Sequence, residues 1–187
     1  MQILKAKLTV ISSKESLKEK ANYAFIDGQN LYQGIKEQGW KLDYKKFRIY
    51  LKEKYKVDRA YLFIGYIEQN QGLYTELRDH GYILKFKPVL HINQGLKQGN
   101  VDADLALNVA LYYREYAAAV LVTSDGDFDT TVKYLRKKDK LAIVLSPGEK
   151  KCSALLKIAA QEKIDFLNNI RPKVEHVNEK APLQDKT

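Results

Sequence analysis

From residue 22 onward, short apolar runs rich in β-branched and aromatic residues alternate with longer segments whose apolar positions recur every three or four residues. That is the pattern of a parallel sheet covered by helices, an α/β signature. The runs predict strands at YAFID (23–27), RAYLFIGYI (59–67), YILKFKPVL (82–90), AAVLVTS (118–124) and LAIVLS (141–146). Helices are predicted at DYKKFRIYLKEKY (43–55), LYTELRDHG (73–81), VDADLALNVALYYREY (101–116), DFDTTVKYLRKK (127–138) and CSALLKIAAQE (152–162). Asp43 is a natural N-cap for the first of these, and Phe47, Leu51 and Tyr55 give it one apolar face opposite a face made mostly of lysine. Gly81 stands where a left-handed residue would close the second.

The pattern contains no internal repeat and no linker, so one domain is expected, assigned to residues 22–170. Residues 1–21 form an N-terminal extension. Residues 171–187 are expected to be a C-terminal tail, partly disordered, since the last ten residues, NEKAPLQDKT, lack apolar periodicity. With 187 residues the chain is long enough to bury about 70% of the surface its unfolded form exposes.

Composition then narrows the class. No apolar run approaches the ~20 residues needed to span a bilayer, and MQILKAKLTVISSKESLKEK lacks the continuous apolar core of a secretory signal. A soluble, cytoplasmic protein without a membrane partner is therefore expected. The single cysteine, Cys152, excludes an intrachain disulfide and is expected to be a small packed residue; with three scattered histidines (His80, His91, His176) it cannot build a zinc site. The formal net charge of +9 favours polyanionic partners, nucleic acid first.

Candidate chemistry lies at strand ends, because ligands of an open parallel sheet bind beyond the carboxyl ends of the strands where strand order reverses. AFID ends on Asp27, and VLVTSDGDFD brings Asp125, Asp127 and Asp129 in quick succession. Asp102 and Asp104 begin a helix directly after the Gly-rich loop NQGLKQGN. Each aspartate alone is accounted for as a turn or helix-cap residue. If Asp27, Asp102, Asp125 and Asp127 converge, however, their repulsion demands a cation, and all-oxygen ligation suits Mg²⁺ or Mn²⁺. Residues two apart on a helix point to nearly opposite sides, so only one of Asp102 and Asp104 can face such an ion. Asp102 is chosen, and Asp104 is expected on a stripe with Asn108 and Leu111. Lys97, expected in the loop at the crevice rim, could steer a phosphate.

The segments FIDGQNLY, KQGNVDADLALN, VLVTSDGDFDTTVKYLRKKDK and SALLKIAAQEKIDFL resemble the NYN domains of the PIN-like nuclease superfamily, the LabA-like group in particular. The resemblance covers residues 22–170. It implies a three-layer α/β/α PIN-like domain with a central, mainly parallel sheet and a metal-dependent ribonuclease site of clustered acids. In that pattern Asp27 is the first-strand acid, Asp102 the acid following Lys97, and Asp125 and Asp127 the pair after the fourth strand. These four are the expected catalytic and metal residues. Asn30, Lys97 and Ser124 are the expected substrate contacts, and RNA is the expected partner. Where family members often carry a further aspartate six residues after the second acid, this chain has Asn108, which leaves the metal count open. Oligomeric state is also open, a homo-oligomer included.

Two other functions compete. One is an RNA- or protein-binding module that keeps the nuclease fold with little turnover. The other is a phosphatase with an aspartyl nucleophile at Asp27, which is disfavoured because Gln29 stands where that class needs a second aspartate. Tyr55, Tyr112, Tyr116 and Tyr134 fall at helical spacing and are expected to pack rather than stack on bases.

Overall fold

The computed structural model describes residues 20–87 and 101–177, and between them the backbone of 89–92 and 95–98. The chain runs β1 (Asn22–Asp27), α1 (Gly28–Lys36), α2 (Tyr44–Tyr55), β2 (Val57–Gly65), α3 (Gln71–Asp79), β3 (Tyr82–Lys87), β4 (Val89–Ile92), β5 (Gly95–Gln98) and α4 (Asp102–Leu111). It continues through β6 (Ala119–Val122), α5 (Asp129–Lys137), β7 (Leu141–Ser146), α6 (Ala154–Ala160), β8 (Ile164–Phe166) and α7 (Leu167–Val174). Six strands pair in the order β3-β2-β1-β6-β7-β8, every pair parallel, while β4 and β5 form a separate antiparallel pair.

Side-chain alternation along β1 builds the three layers. Tyr23 and Phe25 point to one face, into a core with Leu105 and Val109 of α4, Val132 and Leu135 of α5, and Leu156 of α6. Ala24 and Ile26 point to the other, against Leu31 and Ile35 of α1, Phe47 and Leu51 of α2, Leu77 of α3, and Leu167 and Val174 of α7. Because β1 and β6 are buried on both faces, they read as continuous apolar runs rather than as alternating ones.

Several local expectations hold. Asp43 caps α2, its Oδ1 accepting the Lys46 N–H at 2.9 Å. Gly81, at φ 87°, follows α3. Cys152 is buried. Others need correction. The strand expected over 82–90 stops at Lys87, before Pro88, which has no N–H to continue the ladder; the chain resumes as β4 in a different pairing. The segment expected as a loop contains β5, so Lys97 lies on a strand, opposite Leu90. The helix expected to reach residue 116 ends at Leu111, and Tyr116 turns inward to full burial, its hydroxyl donating to the Val109 carbonyl at 2.9 Å. The helix expected from 127 begins as a 3₁₀ turn, Gly126–Phe128, before α5.

Two helices escaped the pattern. α1 carries only Leu31 and Ile35 as large buried residues and contains two glycines, Gly28 and Gly34. α7 contains Pro172, yet Leu167, Ile170 and Val174 all point into the core. The expected domain boundary at residue 170 therefore falls inside a packed helix.

β1 passes straight into α1 at Gly28, which lies against β2. A Cβ built on Gly28 would sit 2.3 Å from Ile64 Cγ2 and 2.8 Å from the Phe63 carbonyl oxygen. Alanine gains up to about 1 kcal/mol of helix propensity over glycine, whereas overpacking against fixed backbone costs roughly 1–3 kcal/mol, so the clash wins. Gly28→Ala is expected to lower stability by about 1–2 kcal/mol in urea unfolding; an equal or higher midpoint would show that β2 yields freely at this contact.

Candidate metal centre

Strand order reverses between β1 and β6, where connections leave the sheet in opposite directions and open a crevice beyond the strand ends. Asp27, the last residue of β1, has the same parity as Tyr23 and Phe25 and so belongs to the side of the sheet covered by α4. Its carboxylate also caps α1, Oδ1 accepting the Asn30 N–H at 3.0 Å.

β6 delivers the next acids through a tightly tied turn. Thr123, buried at the strand end, accepts the Asp125 N–H on Oγ1 at 3.1 Å, and Asp125 Oδ1 accepts the Asp127 N–H at 3.0 Å. The second contact is an Asx turn, which fixes the angle between the two carboxylates. Asp102 arrives as the first residue of α4, where the positive end of the helix dipole favours an anion. One carboxylate oxygen from each of Asp102, Asp125 and Asp127 lies within 4.8 Å of the others.

Asp27 is not part of that trio but shares its field. Burial pushes its carboxyl up from 3.8 to about 6; the Asn30 N–H opposes the rise, and the charges of Asp102 and Asp125 add to it. The residue has 4% exposure, so little solvent is available to screen those charges.

The remaining acids are engaged elsewhere. Asp104, about 200° around the helix from Asp102, accepts from Lys87 Nζ on β3 at 2.7 Å. It is half-exposed rather than packed, and Leu111, expected on the same stripe, is exposed. Asn108 Nδ2 donates to the Asp104 carbonyl at 2.7 Å, on the Asp104 side of α4. Asp129 pairs with Lys133 at 2.6 Å, and that hydrogen bond holds its carboxyl below the usual range.

Asn30 and Ser124 meet each other. The Ser124 N–H and O–H both donate to Asn30 Oδ1, at 2.9 and 3.0 Å, strapping the first turn of α1 to the end of β6. A backbone N–H can only donate, so this contact sets the orientation of the Asn30 amide. Asn30 Nδ2 has no hydrogen-bond partner among the described residues. The Ser124 carbonyl in turn accepts the Ser153 N–H at 3.0 Å, bringing the start of α6 against the turn. Gly126 permits that approach, since a Cβ there would sit 2.5 Å from Ser153 Oγ. The side chain of Lys97 lies outside the described residues.

Sequence reading missed Thr123, Gly126 and Ser153 as supports of the site. A polar residue ending an apolar strand, followed by Asp-Gly-Asp, was the available signal. The tyrosines largely pack as expected: Tyr112 stacks on Tyr61 at 4.8 Å, Tyr55 meets Tyr50 edge-on, and Tyr116 is buried, while Tyr134 contacts Tyr113 but remains half-exposed.

The NYN domain family profile matches residues 23–168. Low amplitude and bright protein LabA of Synechococcus elongatus is 25% identical over 170 residues, 85% of this chain and 90% of LabA. A crystal structure of a protein of unknown function from Vibrio parahaemolyticus superposes with a TM-score of 0.69 at 20% identity, covering 85% of this chain and 98% of that one.

The raised carboxyl of Asp27 has a signed consequence. A folded-state pKa above the unfolded value stabilises the protein fully below about pH 4, and that contribution is lost as pH rises through about 6. The shift corresponds to roughly 3 kcal/mol of penalty once the group is ionised. Asp27→Asn retains the acceptor for Asn30 and removes the charge. In EDTA it is expected to raise stability by about 2–3 kcal/mol near pH 8 and to change it little near pH 4. Urea unfolding at both pH values checks this, and a variant destabilised at both would assign Asp27 a purely structural role.

Proposed function

The chain belongs to the NYN domain family, LabA-like within the PIN-like nuclease superfamily, and from that premise we propose that it is a metal-dependent ribonuclease hydrolysing RNA phosphodiester bonds. The observation that carries the proposal is the carboxylate trio gathered within 4.8 Å at the switch point of a parallel sheet. Three hard oxygen donors, beside a fourth carboxylate whose pKa burial and its neighbours' charges push up to about 6, form a donor set for Mg²⁺ or Mn²⁺ rather than for a thiolate- or imidazole-seeking ion.

Asp102, Asp125 and Asp127 would hold the ion. Such an ion lowers the pKa of water and neutralises charge developing on a phosphoryl oxygen. Asp27, with Oδ1 pinned by Asn30, deepens the negative potential beneath the trio. The Thr123 and Asx-turn contacts keep Asp125 and Asp127 aimed without reorganisation, which is where a preorganised site gains its rate advantage. Asn30 Nδ2 and Lys97 are the candidate substrate contacts, and Ser124 holds the first of them in place. The net charge of +9 supplies the sequence-independent attraction that brings a phosphate chain to an acidic centre. Among the described residues no helix is long and apolar enough to cross a membrane.

A second reading, a binding module with little turnover, is favoured by one observation: Asn108 replaces a family aspartate and sits on the Asp104 side of α4. One experiment separates the two. Purified protein is incubated with RNA and DNA panels in Mg²⁺, Mn²⁺ or EDTA beside Asp125→Asn. Cleavage of RNA in metal alone is expected, with a loss of at least about 10²-fold in the variant, since even outer-shell changes at metal sites cost 10–100-fold. RNA binding without cleavage would select the binding module.

The same ion should stabilise the fold, by about 2.7 kcal/mol at a hundred times its Kd. Thermal unfolding with and without Mn²⁺ is expected to show an upward shift in the wild type that disappears in an Asp102→Asn, Asp125→Asn double variant. An equal shift in both would place the ion elsewhere.

A further inference from the structure

Beside the acid site, beyond the carboxyl ends of β7 and β8, lies a crevice of about 500 Å³ that begins at Ser124. Its lining includes Pro147 and Gly148 after β7, Phe166 at the end of β8, Asn168 and Asn169 at the start of α7, and Lys150. The volume falls within the range of small-molecule pockets, and one end abuts the residue that precedes Asp125.

The polar groups of this crevice are oriented by a network whose directions can be deduced. Gln38 Nε2 lies against two backbone carbonyls, Gly34 O at 2.5 Å and Pro147 O at 2.9 Å, so it must be the amide nitrogen. Gln38 Oε1 is then an acceptor, and Asn168 must approach it with Nδ2, at 2.5 Å. Asn169 Nδ2 is likewise fixed by the Asp165 carboxylate at 2.7 Å. Both asparagines therefore have their amino groups committed and their carbonyl oxygens, Asn168 Oδ1 and Asn169 Oδ1, left to accept. Of the two lysines on the intervening loop, Lys151 pairs with Glu37 at 2.7 Å, while Lys150 has no acidic partner among the described residues.

We infer that this crevice is a base-recognition subsite for the nucleotide next to the scissile phosphate, and that it selects a base bearing an exocyclic amino group. The inference rests on the ribonuclease reading. Two oriented acceptors match the N4 amino group of cytosine and meet the O4 of uracil with like polarity. Phe166 offers apolar contact to a base, and Lys150 a counter-charge to the flanking phosphate. Cytosine and uracil differ little in stacking surface, so discrimination between them reports the acceptors themselves.

The test uses the full chain carrying Asp125→Asn to suppress cleavage, with Mg²⁺ and labelled oligocytidine and oligouridine titrated by fluorescence anisotropy at several salt concentrations. Oligocytidine is expected to bind about five- to tenfold more tightly, the worth of one or two net hydrogen bonds. Asn169→Ala, which breaks no contact to the Pro147 wall, and Asn168→Ala are each expected to narrow that ratio. Lys150→Ala should weaken both ligands equally and reduce the salt slope by about 0.7, one phosphate contact on a single strand. Thermal melts confirm that the variants fold. Equal affinity for the two oligomers, or a ratio and slope unchanged in all three variants, overturns the subsite while leaving the ribonuclease reading intact. Absence of RNA binding and of metal-dependent cleavage in the wild-type protein overturns both.

Discussion

An acid at the buried end of a central strand needs the strand to hold it there. Asp27 has 4% exposure and its carboxylate feels the charges of Asp102 and Asp125, an arrangement that disfavours its ionised form. Phe25, Ile26, Leu121 and Val122, all fully buried on the two strands that meet at the site, each contribute roughly 1.5–3 kcal/mol by burial. Their sum exceeds the penalty on the acid about twofold or more, so the core, rather than any contact made by the carboxylate, keeps it in place.

The same economy governs the turn after β6. Thr123, Ser124, Gly126 and Ser153 make no charge of their own, yet each fixes one atom of the acid-bearing backbone or of the strap from Asn30. The acids themselves are short side chains with few rotamers, so positioning the backbone to within a few tenths of an ångström positions the carboxylates. Gly126 matters through the closeness of α6 rather than through an unusual φ.

Six parallel strands ordered with the first in the middle are also the arrangement of doubly wound dinucleotide-binding folds, and the order alone does not separate the two. The first strand-to-helix turn does. A nucleotide pyrophosphate needs a Gly-rich turn and open backbone N–H groups at a helix start. Here Asp27 occupies that helix start and spends the Asn30 N–H on its own carboxylate. That helix start is therefore occupied by a carboxylate rather than open to an anion.

Periodicity in the sequence determined the layered α/β class, the parallel sheet, five of its six strands to within a few residues at most ends, and the strand-end location of Asp27 and Asp125. These are local properties: burial on both faces writes a continuous apolar run, and a helix writes its apolar face every three or four residues. The resemblance in FIDGQNLY and SDGDF supplied the chemistry that periodicity could not. What only the tertiary structure decided depends on contacts between distant segments. α7 packs despite Pro172 because Leu167, Ile170 and Val174 reach a core built by α1 and α2. The segment holding Lys97 becomes a strand because Val89–Ile92 lies opposite it. Asn30 and Ser124, 94 residues apart, are joined into one strap. Asp102, distant in sequence from Asp125 and Asp127, is brought within 4.8 Å of them, while Asp104 pairs with Lys87 across to β3.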